Sequence, residues 1–150
     1  MMNSLQTLVS TLLTVAIMAG AASVTGDASA SELVVIVSAR STAPVLRSDQ
    51  VAAIFLGQAA QLPDGATVMA IDQPVGSPTR DEFYARVASK RPALLKAYWS
   101  KLLFTGRGQP PREVDGNAAV KKLVADTPGM IGYIDRSALD ASVRPVLVVR

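Results

Sequence analysis

The chain contains no cysteine and no histidine. The first absence excludes disulfides, thiolate nucleophiles and cysteine-ligated metals; the second excludes Ser-His triads and imidazole-ligated zinc. Acidic residues are sparse, 12 in 150, and no nucleophile stands beside Asp72 or the Asp81-Glu82 pair. Acid–base or covalent catalysis needs such a pairing, so the reading is not an enzyme, and no cofactor is expected. Basic residues exceed acidic ones only slightly, 15 to 12, and they are scattered rather than clustered. That balance favours anionic partners but does not argue for nucleic acid. A phosphate-loop signature is missing as well. Gly106-Arg107-Gly108 is a flexible basic loop, open to an anion but more simply a solvated turn before Pro110-Pro111, and no Gly-Lys-Ser/Thr follows it.

Charge is nearly absent from the first thirty residues, where Asp27 stands alone. An apolar run from Leu8 to Val24 is followed by Ala28-Ser29-Ala30, the small-x-small pattern of signal-peptide cleavage. Residues 1–30 are therefore read as a secretory signal peptide and residues 31–150 as one exported domain, periplasmic in a bacterial envelope. The rival reading is an uncleaved membrane anchor, because the run is close to the roughly 17 residues a span requires.

The rest alternates between two periodicities. Leu33-Val34-Val35-Ile36-Val37 is a short, continuous, β-branched run. Such a run predicts a buried strand covered on both faces, as parallel strands are. Ser48 to Leu56 predicts a helix capped by Ser48, with Val51, Ile54 and Phe55 on one face and Gly57 just past its end. Thr67 to Ile71 is a second strand. Ser77-Pro78 opens the next helix, Ser as cap and Pro at its first position. Ala93 to Phe104 carries an apolar stripe of Leu95, Tyr98, Trp99, Leu102 and Leu103, which makes Trp99 core. Asn117 to Ala125 is a helix with Val120, Leu123 and Val124 together. Met130 to Ile134 and Val143 to Val149 are strands, and Pro145 puts the start of the last one at a sheet edge. Alternating strands and helices predict an α/β fold with a largely parallel sheet flanked by helices.

In such folds ligands bind beyond the carboxyl ends of the strands. The loop Asp72 to Thr79 is in that position. Gly76 permits close backbone approach, Ser77 and Thr79 supply hydroxyls, and Arg80 supplies a charge-assisted contact, all at a helix start whose dipole favours anions. Gly76, Ser77, Thr79 and Arg80 are the candidate oxyanion ligands. The plainer reading is an ordinary capped helix start with Arg80 solvated. Asp72, at the strand end, is expected at the entrance, where it would repel a dianion.

The stretch from Ile71 to Phe83 resembles the strand-loop-helix of the phosphate-binding proteins that serve ABC transporters, whose loop reads R-x-D-G-S-G-T. Asp49 to Gly57 and Thr127-Pro128-Gly129-Met130-Ile131-Gly132-Tyr133-Ile134 resemble that family's flanking segments, in the same order. The resemblance implies one lobe of a two-lobed periplasmic-binding-protein fold, an inorganic phosphate or other oxyanion as ligand, and an ABC permease or other envelope protein as partner. Gly76, Ser77 and Thr79 agree with the family loop, whereas Asp72 stands where the family has Arg and Pro74 where it has Asp. The alternative is an envelope interaction module that keeps the fold without the ligand.

Overall fold

The computed structural model describes residues 31–150. The apolar run and the Ala28-Ser29-Ala30 cleavage pattern lie outside the described residues. The order of elements is β1 (Leu33–Ser38), α1 (Ser48–Phe55), β2 (Met69–Asp72), α2 (Pro78–Ala88), α3 (Pro92–Phe104), β3 (Arg112–Glu113), α4 (Gly116–Asp126), β4 (Met130–Asp135) and β5 (Val143–Val149), with a short 3-10 turn at Arg136–Ala138. The strands form one sheet in the order β3-β2-β4-β1-β5. No helix among the described residues is long and apolar enough to cross a membrane.

β2 runs parallel to both β3 and β4, while β1 is antiparallel to β4 and to β5. All strands but β1 therefore point one way. The expectation that β1 would be parallel is corrected; the expectation that both its faces are covered holds, for every residue of β1 is buried. An unbroken apolar run reports burial on both faces, whereas strand direction is set by partners far along the chain. Pro145 sits in β5, an edge strand that pairs only with β1, and the register slips between Val35 and Ile36 opposite it. A residue without an N–H is tolerated at such an edge.

The alternation of β1 side chains divides the core. Leu33, Val35 and Val37 join Phe55, Phe83, Tyr84, Leu95, Trp99 and Tyr133 on one face. Val34 and Ile36 join Ile71, Val120, Val124 and Ile134 on the other. Period two in the strand thus gives a three-layer molecule, with α1, α2 and α3 on one side of the sheet and α4 on the other. Each fully buried aliphatic or aromatic side chain contributes about 1.5–3 kcal/mol relative to exposure. α4 approaches β4 so closely that a Cβ at Gly132 would lie 2.7 Å from Val120 Cγ1.

Local signals mostly place the helices, with small shifts. Arg47, not Ser48, is the N-cap of α1, because Gln50 Oε1 reaches back to accept the Arg47 N–H at 2.9 Å. Ser77 caps α2 as expected, accepting the Arg80 N–H at 3.4 Å, and Pro78 occupies the first turn. In α3, Leu95 and Trp99 are buried, but Leu103 is 55% and Phe104 94% exposed. The stripe was expected to bury Leu103 too; the helix outruns the layer beneath it, and nothing covers its last turn.

Candidate functional site

The C-terminal end of β2 delivers Asp72 into the interior, where it is fully buried. An ionised carboxylate there needs several donors, and it has them. Tyr133 Oη donates to Oδ1 at 2.5 Å, the Gln73 N–H donates to Oδ1 at 2.8 Å, Tyr84 Oη donates to Oδ2 at 2.8 Å, and Arg80 Nε donates to Oδ2 at 3.2 Å. Asp72 is therefore not at an entrance and repels nothing there; its charge is matched by a buried guanidinium. A position at the end of a strand suggests solvent for Asp72, and no local pattern reveals the full set of donors that surround it. Arg80 and Tyr84 stand on one face of α2 at i, i+4, and both turn back to the strand end; the Arg80 guanidinium also lies 5.2 Å from the Tyr84 ring centroid.

An aromatic layer supports the network. Phe83 stacks on Tyr133 with centroids 3.8 Å apart, and Phe55 meets both edge-on. Burial, and next the Asp72 charge, push the Tyr84 and Tyr133 hydroxyls well above the ordinary phenol value, so both remain donors. Burial works against the Arg80 charge, but Asp72 more than offsets it and the guanidinium is held above its usual value.

Arg80 is nonetheless only partly engaged. Its Nε is held by Asp72, and among the described residues its Nη atoms have no hydrogen-bond partner. They are also not among the buried polar atoms left unpaired, which are Trp99 Nε1 and Asp135 Oδ1, so they reach solvent. Arg80 lines a cavity of about 460 Å³ beyond the end of β2, together with Gly76 ahead of α2, Asp81 in its first turn, α3 residues including Lys96 and Trp99, and Pro110 and Glu113.

The backbone around this cavity can be accounted for group by group. Gly76 has φ +88° in a turn closed by the Ser77 N–H on the Pro74 carbonyl at 3.0 Å, a position that favours glycine. Pro78 has no N–H, the Arg80 N–H goes to Ser77 Oγ, and the Asp81 N–H goes to the Ser77 carbonyl. The N–H groups of Gly76 and Thr79 and the Thr79 hydroxyl have no partner among the described residues. Ser77 Oγ, by contrast, caps the helix and also lies 3.5 Å from Gln73 Oε1. Of the residues singled out from the sequence, Gly76 and Arg80 line the cavity, whereas Ser77 and Thr79 do not, and Ser77 caps α2. Arg107 is exposed and does not line the cavity. The residues that sequence reasoning did not pick out are Lys96 and Glu113, from elements distant in the chain. Among the described residues no group of acidic side chains is arranged to hold a metal ion.

No family model matches the chain, and no curated protein matches it in sequence. Solved structures do match. A protein from Clostridium perfringens, described as a phosphate ABC transporter substrate-binding protein and solved with bound phosphate, is 26% identical with a TM-score of 0.60, over 77% of this chain and 44% of its own. An ABC-type phosphate transport receptor from Vibrio cholerae is 18% identical with a TM-score of 0.61, over 77% of this chain and 45% of its own. PstS from Borrelia burgdorferi is 16% identical with a TM-score of 0.54, over 77% and 46%. The chain thus shares the α/β fold of phosphate transport substrate-binding proteins and spans less than half their length.

Proposed function

We propose that the chain is an exported, single-lobe, solute-binding-like protein that holds an oxyanion, phosphate or a related one, at the start of α2. The observation that carries this reading is Arg80: a buried guanidinium fixed at Nε by Asp72, with its Nη atoms unpartnered at a cavity beside Gly76. A donor held in place before the ligand arrives loses little entropy on binding. Gly76, whose N–H is free, belongs to the same lining; the free Thr79 N–H and hydroxyl stand further along the helix start, outside that lining, and the helix dipole favours the anion. The likeness to proteins described as phosphate transport receptors supports the ligand class and an ABC permease as partner. Export rests on the apolar run and Ala28-Ser29-Ala30; mass spectrometry of envelope protein should find Ser31 first, and an intact Met1 would contradict cleavage.

Titration calorimetry with phosphate and sulfate at low salt tests the binding. Arg80→Gln should reduce affinity by about 1.5–3 kcal/mol, the worth of a charge-assisted hydrogen bond. Thr79→Val, which leaves the Asp72 pair intact, should weaken it by less. The absence of heat with every oxyanion at millimolar concentration would overturn this reading. A second reading, an interaction module, is favoured by Leu94, Leu103 and Phe104, which stay exposed on α3.

A further inference from the structure

Resting on the oxyanion reading, we infer that the site takes a singly charged organic carboxylate with an apolar tail rather than a bare inorganic anion. Three properties of the cavity lead there. The first is size: about 460 Å³ lies in the range of small-molecule pockets, roughly 300–1,000 Å³, and one tetrahedral anion at Arg80 would leave most of it unfilled. The second is its wall. Val75, Pro92, Leu103 and Pro110 contribute apolar surface to the lining, and Trp99 lies among them. Val75 and Leu103 are 72% and 55% exposed, so a ligand tail laid against them would remove apolar surface from water on both sides.

The third is charge. Arg80 and Lys96 are matched in the lining by Asp81 and Glu113. Asp72 also already pairs Arg80 at Nε, so a monoanion adds one uncompensated negative charge and a dianion adds two, which favours the monoanion of the two. A carboxylate fits the flat guanidinium edge through parallel N–H···O contacts. The Nε hydrogen bond to Asp72 fixes which edge of the guanidinium is presented. The head of the ligand then sits at the start of α2, and its tail runs along α3 toward Leu103.

Trp99 is the single tryptophan of the chain and lines the cavity, so its fluorescence reports occupancy directly. The expressed protein would be titrated with acetate, butyrate, hexanoate, hexanol and inorganic phosphate. Affinity should rise two- to fourfold per methylene from acetate to hexanoate, up to the value that follows from about 0.8 kcal/mol per buried methylene. Hexanol should produce no saturable change. Leu103→Gln, at an exposed position away from the Asp72 network, should bring hexanoate affinity down toward that of acetate. Phosphate or acetate binding as tightly as hexanoate would overturn the inference and leave the oxyanion reading standing. Hexanol binding as tightly as hexanoate would overturn it too, with phosphate calorimetry then deciding the oxyanion reading separately. Silence of Trp99 and of calorimetry toward every ligand would overturn both.

Discussion

Replacing Asp72 by Asn keeps the shape of the side chain and removes its charge, which isolates what the carboxylate does for the fold. Asp72 is fully buried and Arg80 is 6% exposed, so the change leaves a buried cation without its counterion. Removing one partner of a buried ion pair costs about 3–5 kcal/mol. The Nη end of Arg80 is not sealed from solvent, which keeps part of its hydration and moves the expectation to the lower end, about 3 kcal/mol. The amide also turns an N–H₂ group toward donors that previously met oxygen: Tyr133, Tyr84, the Gln73 N–H and Arg80 Nε. At least one of them loses its acceptor, for about 1–3 kcal/mol more. Against a typical domain stability of 5–15 kcal/mol, a loss of about 4 kcal/mol should lower Tm by roughly 10–20 °C in a chain of this size. Urea melts followed by circular dichroism, with Arg80→Met and the double variant completing a cycle, give the coupling free of the single-variant penalties. The double variant should be less destabilised than the sum of the two. A loss under about 1 kcal/mol for Asp72→Asn, or strict additivity in the cycle, would refute the claim that this pair organises the end of β2.

Other outcomes follow from the same packing. Trp99→Ala should cost about 3–5 kcal/mol, as a large-to-small core change does, since Trp99 is 5% exposed; an unchanged melting temperature would mean the ring is not core. Gly132→Ala should destabilise by about 1–3 kcal/mol through overpacking, because its Cβ would meet Val120 at 2.7 Å, and the same thermal melt reads it. Tyr84 and Tyr133 have raised pKa values when folded. Their contribution is complete below the unfolded tyrosine value of about 10 and is lost as pH rises above it. Stability should therefore fall beyond about pH 10, and the double Tyr→Phe variant should fall less steeply over the same window.

How much of this was written in the sequence depends on the range of the signal. Ser77-Pro78 is a local statement, and α2 begins there. The β1 run told its burial, because burial on two faces requires an apolar residue at every position. Its direction was hidden, since neither partner strand lies near it in the chain. β3 is a two-residue strand, too short to carry a period. At the site, the sequence pointed to Gly76 and Arg80, which line the cavity, but the lock between Asp72 and Arg80 was not legible. A signal existed: a strand ending in Asp, then Arg80 and Tyr84 one turn apart on the following helix, places a cation and a hydroxyl where they can turn back together. Tyr133 completes the set from β4, and no local pattern links it to Asp72.

The placement of β1 also governs when the molecule can exist at all. The strand that opens the described chain lies between β4 and β5, and its neighbour Glu32 is tied to Arg136 across 104 positions. β5 joins the sheet only through β1, and β1 reaches β2 and β3 only through β4, so no fragment that ends before β4 can close the core. A chain still emerging from a ribosome therefore stays open at least until β4 is free. Such distant pairings also slow refolding. A chain ended at Ala141 should show no cooperative melt; a sharp transition in that fragment would mean that the sheet can close without its final strand.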